Sequence, residues 1–130
     1  MQRTRVSAAL ILVLGLWPNS TAHAQQNCNR PTNDFDGLYC LNKVYLQADA
    51  DLNAVYGKLR AALPVSARAT LKTTQLAWIA QRNSRCSRRD ASGFYVNLDC
   101  AADMTIARTN FLTDRYRECR SSGCQPDRLR

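Results

Sequence analysis

Three stretches of the chain carry apolar residues at the spacing of an amphipathic helix. The first runs from about Tyr39 to Leu63, with apolar side chains every three or four positions and charged residues on much of the other face. Pro64 ends it, because the residue before a proline avoids helical backbone angles. The side chains predicted to face inward are Leu41, Val44, Tyr45, Ala48, Leu52, Val55, Tyr56, Leu59 and Leu63.

A second helix is predicted from about Ala67 to Arg85, with Ser66 as its N-cap, since a serine side chain can accept a hydrogen bond from the first turn. Only a few residues separate it from the first helix, so we expect the two to pack antiparallel as a hairpin. Its inward stripe is Leu71, Gln75, Trp78, Ile79 and Arg82.

A third helix is predicted from about Ala101 to Cys119, and it completes a small all-α domain of three helices. Its inward residues are predicted to be Met104, Ala107, Phe111 and Leu112. Residues 87–99 form a loop between the second and third helices, and residues 120–130 form a polar C-terminal tail. No internal repeat or second domain is apparent in the pattern.

The first 24 residues are predicted to be a signal peptide rather than part of the fold. Arg3 and Arg5 provide a basic start, and the apolar run Ala8–Trp17 is too short to span a bilayer. The run Ala22-His23-Ala24 has the small-x-small pattern that a signal peptidase cuts after. The helical domain is therefore expected over residues 25–119.

Cys28 lies close to the predicted cleavage site, which raises the question of lipid attachment. The residues before it are Gln25, Gln26 and Asn27, which are not the small residues that a lipid-attachment site needs. We therefore expect a soluble exported protein, periplasmic or secreted, with no membrane-spanning segment.

The cysteines are interpreted as a disulfide framework because export places them in an oxidising compartment. Zinc is the alternative, but there is no Cys-x-x-Cys pair, and His23, the single histidine, leaves with the signal peptide. Pairing between sequential neighbours is favoured because each bridge would close a short stretch flanking a helix. Such a bridge contributes roughly 3 kcal/mol in the chain-entropy model. The expected pairs are Cys28–Cys40, Cys86–Cys100 and Cys119–Cys124.

The composition also restricts the catalytic and metal-binding sites that the chain can form. Without a histidine the mature chain can form no Ser-His-Asp or Cys-His catalytic arrangement, and no histidine-bound metal. Its aspartates and Glu118 show no recognisable catalytic spacing, so we expect no enzymatic activity, no cofactor and no metal. The formal charge is +8, and about +6 without Arg3 and Arg5. Such a surplus favours anionic partners but is equally common as solubilising charge. No nucleic-acid partner is expected.

Spaced motifs connect the helices to a known family. They are Leu52-Asn53-x-x-Tyr56, then Gln75-x-x-Trp78-Ile79-x-x-Arg82-Asn83-x-x-Cys86, then Cys100 and Thr105-x-x-Arg108. With Cys28 and Cys40 as a leading pair, the chain resembles the lysozyme inhibitor LprI-type domain. The resemblance implies a small exported helical domain that inhibits lysozyme without catalysis. Asn83 stands where the family commonly has aspartate, and Cys119 and Cys124 look like an addition.

The residues divide into a scaffold and a candidate contact surface. Gln75, Trp78 and Arg82 share one helical face, and we interpret them as a core aromatic with half-buried polar groups whose unpaired burial would cost about 1–3 kcal/mol. The loop 87–99 is the candidate contact surface, since arginine and tyrosine are enriched at binding hot spots and a disulfide would preorganise it. Its candidate contacts are Arg88, Arg89, Phe94 and Tyr95.

These observations leave three functional hypotheses. The first is an inhibitor that binds a lysozyme or another cell-wall hydrolase, with Arg88 or Arg89 entering a cleft that presents two carboxylates. The second is a basic envelope module that binds an anionic polymer such as peptidoglycan or lipopolysaccharide. The third is a structural or stress protein without a single ligand. The sequence does not determine the oligomeric state.

Overall fold

The computed structural model describes residues 28–130, so the predicted signal peptide lies outside the described residues. The fold is mostly helical, and this confirms the predicted three-helix, disulfide-stabilised architecture. A two-stranded antiparallel sheet is inserted between the second and third helices. In chain order the elements are α1 (Asp34–Ala62), α2 (Val65–Cys86), β1 (Ser87–Asp90), β2 (Gly93–Val96), α3 (Leu98–Ser121) and a final 3₁₀ helix (Pro126–Leu129).

Helix α1 begins five residues before its predicted start. Asn33 is its N-cap, and the Oδ1 atom of Asn33 accepts a hydrogen bond from the backbone N–H of Asp36 at 3.0 Å. Asp34 and Asp36 in the first turn complement the positive end of the helix dipole. Residues 34–38, which the predicted helix left out, therefore form the first turns of α1.

The predicted N-cap of α2 is wrong. Pro64 holds the N-cap position without a side-chain hydrogen bond, and Ser66 lies inside the helix. The backbone N–H of Ala67 donates to the Pro64 carbonyl at 3.0 Å, so the first turn closes on the proline carbonyl instead of the serine hydroxyl. The fixed backbone angle of proline is already suited to a helix start.

Helices α1 and α3 run in the same direction. Helix α2, which connects them in the chain, runs in the opposite direction. The closest helix packing joins α1 to α3 rather than the two members of the α1–α2 hairpin. Small buried residues on these two helices allow a short interaxial distance. They are Ala48 on α1 and Ala101, Ala102 and Thr105 on α3.

The core collects side chains from all three helices and from the C-terminal segment. Its fully enclosed members include Leu59, Leu71 and Leu112. Three residues predicted to face inward are exposed instead, namely Leu41, Val44 and Ala107. The first turns of α1 are largely exposed, so their apolar side chains follow the helical period although no other element of the described residues covers them. The buried cluster comprises Leu52, Val55, Leu59, Leu63, Ala67, Leu71, Leu112 and Leu129.

Three disulfide bonds confirm the pairing of sequential neighbours. They join Cys28 to Cys40, Cys86 to Cys100 and Cys119 to Cys124. The last of these turns the chain back after α3, and Leu129 then enters the core with 1% of its surface exposed. Within residues 28–130, no helix combines the length and the apolar character needed to cross a bilayer.

Candidate functional site

The segment predicted as a loop between Cys86 and Cys100 contains a β-hairpin. Strand β1 pairs with β2 in antiparallel register, and Ala91 and Ser92 form the turn. The Asp90 carboxylate accepts hydrogen bonds from the hydroxyl of Ser92 and from its backbone N–H, the latter at 2.9 Å. Gly93 follows with a φ of +149°, a backbone angle that favours glycine.

The base of the hairpin is fixed at both ends. Cys86 is the last residue of α2 and Cys100 lies in the first turn of α3, and their disulfide holds the two Cα atoms 5.5 Å apart. The backbone N–H of Asn97 donates to the Cys86 carbonyl at 2.8 Å. The Asn97 side chain caps α3 by accepting a hydrogen bond from the Cys100 N–H at 3.0 Å. The hairpin is therefore held as one unit with the helix ends.

The register of the hairpin separates the four candidate contact residues into two pairs. Arg88 lies opposite Tyr95, and Arg89 lies opposite Phe94. Because successive side chains of a strand point to opposite faces, the two pairs occupy opposite faces of the hairpin. The sequence places these residues in one loop, and the structure assigns them to different surfaces.

On the Arg88–Tyr95 face, the side chains contact other residues of the hairpin. The Arg88 guanidinium lies 4.5 Å from the centre of the Tyr95 ring, and its Nε atom lies 3.6 Å from an Asp90 carboxylate oxygen. The Tyr95 hydroxyl is hydrogen-bonded to the Ser92 hydroxyl at 2.7 Å. Cross-strand pairs of this kind stabilise a hairpin, so the main role of Arg88 and Tyr95 is to stabilise the pairing of the two strands.

Arg89 and Phe94 are both exposed on their face of the hairpin. Within residues 28–130, the Arg89 side chain makes no ion pair or hydrogen bond, and Phe94 is 66% exposed. A partner can cover the free guanidinium and the open part of the ring without breaking an ion pair or hydrogen bond of these two side chains. This pair is therefore the stronger candidate for a contact surface.

A cleft of about 390 Å³ lies beneath this face of the hairpin. Its lining brings together β2, the end of α2, the start of α3 and the side chain of Tyr45 from α1. Tyr45 was expected only as a core residue, and no sequence signal connects it to a site 37 positions away at Arg82. The principal lining residues are Tyr45, Arg82, Phe94, Val96, Leu98 and Ala101.

Arg82 is held in place where all three helices meet. Its Nη1 atom donates to the Thr105 hydroxyl at 3.3 Å and lies 3.6 Å from an Asp49 carboxylate oxygen. The guanidinium also lies 5.2 Å from the centre of the Trp78 ring and 5.6 Å from that of Tyr45. The structure thus gives Arg82 a connecting position between the scaffold and the cleft.

A second arginine of the family motif, Arg108, also lies near Trp78, with its guanidinium 6.0 Å from the ring centre. The Nε atom of Arg108 donates to the Gln75 side chain at 3.0 Å, and the guanidinium lies 4.8 Å from the Phe111 ring centre. Burial lowers the pKa of Arg108. Its Nη2 atom is buried and has no hydrogen-bond partner in the part of the chain that the structure describes. The aromatic rings therefore supply much of its environment.

The remaining motif residues have separate positions. Leu52 is in the buried cluster, and Tyr56 packs against that cluster. Ile79 is half-buried. Asn53 is exposed and donates to the Asp49 carboxylate at 3.0 Å. No group of three or more potential metal ligands lies together in the part of the chain that the structure describes.

The family model for the lysozyme inhibitor LprI matches residues 26–112. The chain belongs to the LprI family. The matched region includes the first two disulfides, the hairpin, the cleft, and Trp78 with the neighbouring Arg82 and Arg108. The third disulfide and Leu129 lie beyond the matched residues. No curated protein matches the chain, and no solved structure does.

Proposed function

We propose that this protein is an exported, non-catalytic inhibitor that binds a lysozyme or a related cell-wall hydrolase through its hairpin. The observation that carries the proposal is the exposed Arg89–Phe94 pair on a hairpin that a disulfide joins to two helices. Membership in the LprI family supports the class of partner.

The chemistry of the hairpin fits a cleft that presents carboxylates. Glycosidases of this kind use two carboxyl groups, and a guanidinium pairs with a carboxylate through two parallel hydrogen bonds. Among residues 28–130, Arg89 has no ion-pair or hydrogen-bond partner to give up, whereas Arg88 would have to leave Tyr95 and Asp90. Arg89 therefore enters the catalytic cleft of the hydrolase, and Phe94 covers the apolar surface beside that catalytic cleft.

The rigid base of the hairpin reduces the entropy lost on binding. Cys86–Cys100, the Asn97 cap and the Arg88–Tyr95 stack all restrict the strands before a partner arrives. The same contacts keep Arg89 and Phe94 on one face.

The test is a lytic assay on bacterial cell walls with purified protein at micromolar concentration and lysozymes of several classes. We expect the unmodified protein to inhibit at least one of them. Arg89→Ala should raise the concentration for half-inhibition about tenfold or more, as expected for a hot-spot residue. Arg89→Ala should not lower the melting temperature appreciably.

Arg60→Ala is the matched control, since Arg60 is an exposed arginine in the last turn of α1, at the opposite end of the bundle. It should inhibit like the unmodified protein. The absence of inhibition for every lysozyme tested would refute the proposal, and so would an Arg89→Ala variant that inhibits at full strength.

The other face of the hairpin supports a second candidate function. A shallower cleft of about 210 Å³ is lined there by Arg85, Arg88, Tyr95 and Asn97. Two guanidiniums beside an aromatic ring suit the anionic groups of a polymer such as peptidoglycan or lipopolysaccharide. This function predicts sedimentation with envelope fractions at low salt, loss of binding as salt rises, and no inhibition of a hydrolase.

A further inference from the structure

The cleft beneath Phe94 has a lining that selects for an apolar occupant. Tyr45, Phe94, Val96, Leu98 and Ala101 supply most of its walls. Phe94 is 66% exposed and Val96 is 49% exposed, although both border the cleft. Apolar surface that is open to water in this way gains most when another apolar group covers it. The volume falls in the range of small ligand sites and is sufficient for one large side chain.

Three polar residues of the cleft, Arg82, Asn83 and Ser87, already make hydrogen bonds within the protein. Arg82 is bonded to Thr105 and paired with Asp49, and it also donates to the Asn83 side chain at 3.3 Å. The hydroxyl of Ser87 donates to the Asn83 carbonyl at 2.6 Å. A polar ligand would therefore have to displace these contacts, whereas an apolar side chain can fill the space without disturbing them.

The charges around the mouth of the cleft indicate which group of the partner should lie next to the apolar side chain that fills it. Residues 82–90 contain four arginines and one aspartate. Two of the arginines are balanced by carboxylates, Arg82 by Asp49 and Arg88 by Asp90. Arg89, on the same face as Phe94, has no such partner within residues 28–130. A negative charge next to the occupant would compensate it.

We infer that this cleft is an anchor pocket for an aromatic side chain that a protein partner presents next to a carboxylate. The inference rests on the proposed function, and it identifies the part of the partner that the hairpin binds. The aromatic ring enters between Tyr45 and Phe94, and the neighbouring carboxylate pairs with Arg89. Arg82 forms the floor and offers its guanidinium to the ring.

Filling the cleft tests the inference in the lytic assay. Val96→Trp places a bulky ring on an exposed strand position that lines the cleft, and tryptophan is well accepted in strands. We expect its half-inhibition concentration to rise about tenfold or more. Val65→Trp is the matched control: Val65 is 77% exposed at the first residue of α2, about 30 Å along that helix from the hairpin. It should inhibit like the unmodified protein.

A binding experiment on the full mature chain provides the second measurement. Three capped tripeptides, Glu-Phe-Glu, Glu-Ala-Glu and Lys-Phe-Lys, are titrated into ¹⁵N-labelled protein, and amide shifts are followed by NMR. We expect Glu-Phe-Glu alone to give saturable shifts centred on Asn83, Val96 and Leu98. Phe94→Ala, which removes one wall, should abolish them, while Phe35→Ala, an 81% exposed phenylalanine at the start of α1, should not. Equal shifts for all three peptides, or shifts centred on another surface, would overturn the inference.

The two experiments separate this inference from the proposed function. If Arg89→Ala loses inhibition but a folded Val96→Trp keeps it, the inhibitor proposal holds and the anchor pocket is wrong. If no lysozyme is inhibited but Glu-Phe-Glu binds at the cleft, the anchor pocket holds and the partner is a different protein. Melting curves establish whether each variant is folded. If Val96→Trp does not fold, the peptide titration of the Phe94→Ala variant tests the anchor pocket instead.

Discussion

Arg82 shows how one side chain can join all three helices. It lies on α2, is paired with Asp49 on α1 and donates to Thr105 on α3, and its side chain is only 12% exposed. Thr105 is fully buried, and its hydroxyl also donates to the Ala101 carbonyl at 2.6 Å. Removal of the guanidinium would leave the Thr105 hydroxyl with one contact fewer and Asp49 without its cation.

At this scale we predict that Arg82→Ala lowers the free energy of unfolding by about 2 kcal/mol, because it removes a half-buried network and the packing on Trp78. Arg85→Ala, three residues further along the same helix and exposed, should change it by less than about 0.5 kcal/mol. Urea denaturation followed by Trp78 fluorescence measures both. Equal effects of the two substitutions would show that the contacts of Arg82 contribute nothing beyond those of a surface arginine.

The hairpin is the element whose shape depends on few, local interactions. Its turn is organised by Asp90, which accepts two hydrogen bonds from Ser92 and lies near Arg88. The hydrogen bond from the Ser92 hydroxyl and the one from its backbone N–H lower the pKa of Asp90 from its ordinary value of 3.8. The folded turn therefore favours the ionised carboxylate.

The sign of the pH dependence follows from that shift. A carboxyl group whose pKa is lower in the folded hairpin contributes stability above its ordinary pKa, and this contribution is lost as the pH falls through the lowered value. We predict that the turn is ordered at neutral pH and loosens below about pH 4. The Ser92 amide shift, followed by NMR during an acid titration, measures this.

Asp90→Asn should remove the transition, whereas Asp114→Asn, at an exposed aspartate on α3, should leave it intact. A Ser92 signal that shows no acid transition in the unmodified protein would mean that other contacts hold the turn.

For the whole molecule, net charge controls how the protein meets a partner. Residues 25–130, the chain expected after cleavage, carry about +6, so a basic lysozyme would carry charge of the same sign. Two like-charged proteins repel each other beyond the distance at which local contacts act, and salt shortens that range to about 8 Å at physiological ionic strength. The local pairing of Arg89 then has to overcome a long-range barrier.

We therefore predict that the association rate constant with a basic lysozyme increases as salt is raised from about 20 to about 150 mM. Stopped-flow fluorescence of the mixture measures the rate. Binding to an anionic polymer has the opposite dependence, so a steep fall with salt would favour the second candidate function. An acidic lysozyme, if one is used as the control partner, should also show a fall.

Much of the fold is readable from local sequence. Helical periodicity and Pro64 predict where α1 and α2 meet, because both act within a few residues. The disulfide pairing is also predictable, since each bridge closes a short segment beside a helix. Helix starts are less accurate, as Asn33 and Ser66 show. Both can cap a helix by their chemistry, and the backbone around them decides which one does.

The sequence by itself determined three helices, an oxidised framework, the family and the loop on which the candidate contacts lie. Only the tertiary structure decided that Arg88 is engaged by Tyr95 while Arg89 is available, because strand register assigns neighbouring residues to opposite faces. It also decided that Tyr45 borders the cleft and that Leu129 completes the core. These contacts join residues far apart in the chain. Local patterns cannot specify them, because they depend on how the helices and the hairpin pack against one another.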